Sequence, residues 1–272
     1  MYELLLFAFS IFAGFIGAIL GLGGGIIIVP TLTLLLHVDI RYAVAASLIS
    51  VIATSSGAAS NFLKSNLTNL RVASFLEMGT VFGAITGFLI TSYVNASFLY
   101  FLFAGFLIFS SLMMLRQRHD RVATHNHPWS DKLGFASQYP DKAGQLIDYK
   151  VENVFWGLFL MYFAGILSAL LGIGSGVLKV LAMDNAMKLP IKVSSATSNF
   201  MIGVTAVASA SAYFVKGDVH PPLVIPVALG IIIGSWCGAR TMKKMESSTI
   251  RIIFIVIMFI VSIQMIYKGL QS

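Results

Sequence analysis

Lys179 is the residue best placed by its surroundings to do chemistry. It stands in an apolar stretch, GVLKVLAM, three residues after the cluster Gly172-Ile-Gly-Ser-Gly176. A lysine at membrane depth is costly and usually faces a cavity or an ion partner. It could supply positive charge to an anion, or close an ion pair with an acid such as Glu77. Glu77 is the one acid well inside a long apolar run. It could carry a proton or hold structure, and the structural role is the simpler expectation. Asp184, near the end of the same short stretch as Lys179, is expected to be solvated.

Two glycine clusters interrupt apolar sequence, Gly21-Leu-Gly-Gly-Gly25 and Gly172-Ile-Gly-Ser-Gly176. Glycine lets a chain leave helical geometry without a side-chain clash. In hydrocarbon the freed N–H and C=O groups need protein or a water-filled cavity to receive them. A helix starting at each break offers unpaired N–H groups and the positive end of its dipole. Two such ends facing one another would favour an anion over a cation. Hydroxyl-rich segments follow each cluster: Ser47, Ser50, Thr54, Ser55 and Ser56, then Ser194, Ser195, Thr197, Ser198, Asn199 and Thr205. Such groups can donate to an oxyanion, or bond between helices. The expected substrate-binding set is Gly23, Gly24, Gly25, Gly174, Ser175, Gly176, Lys179, Ser47, Thr54, Ser198, Asn199 and Thr205.

Other chemistries find little support. No Gly-Lys-Ser/Thr follows either cluster, which excludes a P-loop, and no βαβ pattern surrounds them for a dinucleotide site. His119, His125 and His127 lie near Asp120, but a solvated loop is the simpler reading than a metal site. Cys237 is expected to be packed, without a charge to activate it. Ser175 has no evident base, and the apolar segments lack His. Neither an enzyme, a metal nor a cofactor is expected.

The elements that must position these residues are long apolar helices. Of 272 residues, 57% are apolar and 11% charged, less than half the usual charged share of about 25%. Runs near 2–20, 42–62, 72–93, 97–115, 153–171, 193–215, 222–239 and 249–267 approach the ~20 residues needed to cross a bilayer. Gly25–Leu36 and Gly176–Met187 are too short to cross unaided, at about 18 Å each as helix. No cleavable leader is expected, because no Lys or Arg precedes the first apolar run. A net charge of +7 points to loop residues that orient the chain rather than to nucleic acid.

The chain repeats itself at a constant shift of 151 residues. FAGFIGAILGLGGG (12–25) lies over FAGILSALLGIGSG (163–176) with eight of fourteen positions identical. Ser47 meets Ser198, Thr54 meets Thr205, and Gly79, Gly83 and Gly87 meet Gly230, Gly234 and Gly238. These six, with Gly14 and Gly17, suit close helix packing. The expected organisation is a first transmembrane repeat (1–115), a linker (116–150) and a second repeat (151–272). The linker is polar enough to lie in water, with six Lys/Arg. Placing it in the cytoplasm gives fourteen basic residues inside and three outside (Arg41, Lys216, Lys268), with the N-terminus outside. Equivalent loops then face opposite sides, so the repeats are inverted. Each repeat would hold five spans, or three spans and a re-entrant pair. The fold class expected is an all-α polytopic membrane protein with helices broken at the Gly-rich motifs.

GLGGGIIIVPTLTLLL, the Ile-Arg-x-Ala step, the second GIGSG, the run Ile191–Phe200 and Lys-Gly-Asp (216–218) resemble the sulfite exporter TauE/SafE family. The resemblance covers nearly all of both halves. It implies an inner-membrane permease for sulfite, organosulfonates or related anions. The departures are Ser175 opposite Gly24, Leu181 opposite Pro30, and the polar Lys179, Asp184 and Asn185. The function expected is alternating-access transport of such anions around a midplane site, with an anion channel or a carrier of other small organic acids as the alternative. The partners expected are a small anionic solute and the lipid bilayer, with a homodimer left open and no nucleic acid.

Overall fold

The computed structural model describes residues 2–91, 94–116, 123, 126–140, 145–171 and 175–271. It is an all-helical membrane fold apart from one small hairpin. The first half runs α1 (Tyr2–Leu20), α2 (Gly25–Pro30), α3 (Ile40–Lys64), α4 (Leu70–Thr91) and α5 (Ala96–Arg116). After α6 (Pro128–Leu133) and the strands β1 (Ser137–Pro140) and β2 (Leu146–Tyr149) come α7 (Val154–Leu171), α8 (Gly176–Leu181), α9 (Ile191–Val215), α10 (Pro221–Met242) and α11 (Ser247–Gln271). The starts of α2, α3, α4 and α5 recur at α8, α9, α10 and α11 with the same 151-residue offset. Among the described residues five helices are long and apolar enough to cross a membrane: α3, α4, α9, α10 and α11. Phe82, Leu89, Phe109 and Phe163 point outward, as a lipid-facing surface requires.

Each short helix continues into one π-helical turn, Thr31–Leu35 and Ala182–Ala186. Pro30 leads into the first. Leu181 leads into the second, so the proline is not the cause of the widened turn. Matched bonds close both segments: Val38 N–H donates to Leu32 C=O at 3.0 Å, and Leu189 N–H to Met183 C=O at 2.9 Å.

Helix α2 doubles back along α1. A Cβ at Gly24 would meet the Ala13 carbonyl at 3.2 Å, while Ile27, Pro30 and Thr31 share a groove with Phe9 and Phe12. Rising numbers on α2 thus meet falling numbers on α1. That is an antiparallel hairpin of two helices, in keeping with the half-helices that the short 12-residue stretches favour over full spans. The groove, about 320 Å³, is closed by Ile257, Ile260, Val261 and Gln264 of α11. It is apolar and lies on the outer side of the hairpin.

The two halves exchange helices. Gly79, Gly83 and Gly87 of α4 lie on the carbonyls of Leu158, Tyr162 and Ile166 of α7. Gly230, Gly234 and Gly238 of α10 lie on those of Phe7, Ile11 and Phe15 of α1. Both pairs are parallel and too close for any Cβ between them, the packing mode of small-residue stripes. Equivalent helices meet antiparallel. Ser55 of α3 donates to the Phe200 carbonyl of α9, and Asn69, beyond the end of α3, bonds Thr197 near the start of α9. Gly269, at the end of α11, packs on Tyr100 and Phe101 at the start of α5.

The described stretches of the linker, 126–140 and 145–150, hold a short surface helix and a hairpin, with mostly exposed side chains and a few buried anchors. β1 and β2 pair antiparallel, with Ser137 opposite Tyr149 and Pro140 opposite Leu146. The hairpin buries Phe135, Tyr149 and Val151 against Val72, Leu76, Met183 and Met187. The polar composition of the linker hid Phe135 and Tyr149, and Val151 lies just past its end. His127 caps α6, its ring nitrogen accepting from the Trp129 N–H. His119 and His125 lie outside the described residues, and among the described residues no acid, His and Cys cluster could hold a metal.

Candidate substrate site

The two breaks touch. A Cβ at Gly176 would collide with the Gly21 carbonyl and lie 2.6 Å from Leu22 Cα. Gly23 and Gly24 take positive φ, +80° and +69°, and Ser175 matches Gly24 at +57°. Serine adopts the left-handed turn despite its Cβ, which costs about 1 kcal/mol or more. The geometry of the break is therefore kept where its glycine is not. No side chain caps the N-terminus of α2, which begins at Gly25, or of α8. Gly172 and Gly174 lie outside the described residues.

Helix α9 serves the first break with its polar face. Ser195 Oγ donates to Ile19 C=O at 2.8 Å, Ser198 Oγ to Gly21 C=O at 2.7 Å, and Asn199 Nδ2 to Ala18 C=O at 2.8 Å. Thr54 Oγ1 of α3 donates to Gly23 C=O at 3.0 Å. These bonds satisfy carbonyls that the helix interruption frees, as hydrocarbon surroundings demand. The Ser198 hydroxyl also lies 3.3 Å from the Gly176 carbonyl, touching both breaks. Asn199 Oδ1 is buried without a hydrogen-bond partner. Ser47 is fully buried, and its carbonyl accepts from Ser50 Oγ at 2.6 Å.

One and two turns further along α9 the chemistry changes. Lys179 Nζ is fully buried, 3.0 Å from Glu77 Oε2 of α4. Thr205 Oγ1 bridges the two, accepting from Lys179 and donating to Glu77 Oε1. Thr80 Oγ1 lies 3.5 Å from the same hydroxyl. The bland expectation for Lys179, an ion pair with Glu77, is what the structure holds. At the equivalent positions stand Ile28 of the first half and Ala228 of the second. There Thr54 turns to backbone carbonyls instead. The ion pair is thus one-sided and joins one half to the other.

These positions lie within a chain whose residues 6–265 match the family description "Sulfite exporter TauE/SafE". The chain belongs to the sulfite exporter TauE/SafE family. It is 27% identical over 279 residues, the full length of both chains, to "Probable membrane transporter protein YunE" of Bacillus subtilis (strain 168). It is 28% identical over 252 residues to "Probable membrane transporter protein YdhB" of the same organism, covering 91% of this chain and 92% of that one. A third relative, "Probable membrane transporter protein MJ0441" of Methanocaldococcus jannaschii, is 26% identical over 91% of this chain and 89% of its own. No solved structure matches. The TauE/SafE chain is a multi-pass membrane transporter rather than an enzyme.

Three expectations for this TauE/SafE protein need correction. Asp184 is not solvated: it is buried against Arg251, with Oδ2 3.1 Å from Nη1 and Oδ1 3.4 Å from Nη2. Arg251, one of the fourteen basic residues counted above as inside loop charges, is accordingly a buried residue of α11, and it ties that helix to the π turn after α8. Cys237 is exposed on α10 rather than packed. Sequence reasoning missed Asn69, whose Nδ2 donates at 2.8 Å to both the Phe135 carbonyl and the Tyr149 hydroxyl. Burial pushes the Tyr149 phenol above its usual range, against the lowering pull of the bonds from Asn69 and Ser137. No motif announces this clamp. A lone Asn before an apolar run was its one visible trace.

Proposed function

We propose that this transporter moves small sulfur-containing anions, such as sulfite or organosulfonates, by alternating access around the crossed breaks. The observation that carries the reading is the contact of two symmetry-matched breaks whose following helices begin without side-chain caps. Those ends present N–H donors and the positive poles of their dipoles to one place. Gly23, Gly24, Gly25, Gly174, Ser175 and Gly176 would supply backbone donors, and Ser47, Thr54, Ser198, Asn199 and Thr205 side-chain groups once the break carbonyls they now serve rearrange. Lys179 would lend positive charge.

The inverted-repeat reading rests on the antiparallel meeting of α3 with α9 and of α5 with α11. An axis that relates spanning helices so lies in the membrane plane. Lys64, Arg71, Lys188 and Lys192 flank the end where the linker docks, whereas Arg41 and Lys216 lie at the other. With the linker cytoplasmic, the N-terminus is outside and residues 1–115 and 151–272 form the two inverted repeats of an inner-membrane carrier.

Purified protein in liposomes tests the reading. Uptake of radiolabelled sulfite, thiosulfate, taurine or sulfoacetate should saturate and accelerate when the same anion is inside. Unsaturable flux without that acceleration means a channel. No uptake of any of the four refutes the substrate class.

A further inference from the structure

The structure points to a proton as the coupling ion, and we propose that Glu77 carries it. The inference rests on the anion-carrier reading above. Lys179, Thr205 and Glu77 form a buried set that is neutral as it stands. An anion drawn to Lys179 would place a second negative charge beside Glu77, in surroundings where uncompensated charge is costly. A proton taken up by Glu77 removes that excess. Before binding, the set holds one ammonium and one carboxylate. Afterwards it holds the ammonium, the anion and a neutral carboxyl. For a monoanion the loaded and empty sites therefore carry the same net charge. The proton comes from the water of the side to which the site is open and leaves on the other side with the anion.

Three features favour this over an ion pair that only holds helices together. The pair bridges the halves, Glu77 lying on α4 and Lys179 on α8. Movement of one half against the other therefore acts directly on it. It lies close to the breaks: Ser198, at the crossing, and Thr205, in the set, are seven residues apart on α9, about 10 Å along the axis. And the fold does without it at the equivalent place, where Ile28 and Ala228 stand. The charged or titratable residues on the elements around Glu77 are Arg71 on α4, Tyr162 on α7, Lys179 on α8, Lys192 at the start and Tyr213 near the end of α9, and Tyr139, Asp148 and Tyr149 on the hairpin. The Asp184–Arg251 pair lies further along the π turn. Of these, Lys179 is the one ion-paired with Glu77.

Methanesulfonate is a suitable probe, because it stays ionised and any proton must ride on the protein. In liposomes, one proton per anion and an inward acid gradient of one pH unit should concentrate it about tenfold. The lumen should acidify as it enters. Glu77→Gln should still exchange internal for external methanesulfonate, yet accumulate none and move no protons. Glu77→Asp should restore accumulation. Exchange without accumulation in the unaltered protein overturns the inference and leaves anion transport standing. Accumulation by Glu77→Gln equal to that of the unaltered protein overturns it too. So does loss of exchange in a folded Glu77→Gln. Absence of methanesulfonate entry under every condition refutes sulfonate transport, and the inference with it.

Discussion

Replacing Lys179 by isoleucine tests whether the buried set is a coupled ion pair. The lysine is fully buried and Glu77 is 8% exposed. Removing one partner leaves a carboxylate stranded, which costs about 3–5 kcal/mol. The Thr205 hydroxyl also loses a charged neighbour. A fall in Tm of roughly 2–4 °C per kcal/mol is expected for a chain of this size. The informative companion is the double variant Lys179→Ile with Glu77→Ala, which copies the residues at the equivalent place, Ile28 and Ala228. It removes both charges, and Thr205 can bond the Met201 carbonyl, now 3.4 Å away, as Thr54 bonds Ser50. Most of the lost stability should return. Thermal unfolding of all four proteins in one detergent gives the coupling energy of the cycle. A single variant as stable as the parent, or a double variant less stable than the single, would refute the pairing.

Four further outcomes are expected. Gly83→Val should prevent recovery of folded protein, because its Cβ would drive into the Tyr162 carbonyl, whereas Gly105→Ala should be near neutral because nothing lies within 4 Å of that position; size-exclusion profiles and Tm distinguish them. Asn69→Ala should cost about 1–3 kcal/mol, from two buried donors and the unpaired groups left behind, and should raise the rate at which a protease cuts the linker. Arg251→Met should lower stability by about 3–5 kcal/mol by taking the guanidinium away from the buried Asp184 carboxylate, with Asp184→Asn partly rescuing it in the same unfolding assay. Lys179→Met should abolish sulfite-induced thermal stabilisation in protein that remains folded, though less stable; unchanged affinity would remove Lys179 from the site.

Much of the scaffold was visible in the residues because its cause is repetitive. Glycines every fourth residue on two helices announce helices packed at backbone distance, and both stripes pack so. The two Gly-rich clusters announce broken helices, and both are broken. Whether Gly25–Leu36 crosses or returns was not visible, since re-entry depends on where α2 finds its partner. The partner is α1, met through Gly17 and Ala13. The hairpin in the linker was hidden for another reason: four-residue strands carry too little alternation to rise above a polar background. Asp184 was misjudged because its partner, Arg251, lies 67 residues away on another helix, and nothing local to either residue links them.

The departures from the repeat carry more functional information than the repeat itself. A twofold scaffold fixes two equivalent breaks and two equivalent hydroxyls, Thr54 and Thr205. Their neighbours differ. Thr54 sits among aliphatic residues and bonds backbone, while Thr205 sits between a cation and an anion drawn from opposite halves. If the ion pair served only to hold helices, the junction between the halves that lacks it should be the weaker one. Yet α1 and α10 pack there by the same glycine stripe that joins α4 to α7, and aliphatic side chains fill the gap. An ion pair that the fold demonstrably replaces with Ile and Ala is better explained by what its charges do when the halves move than by what they hold when the halves are still.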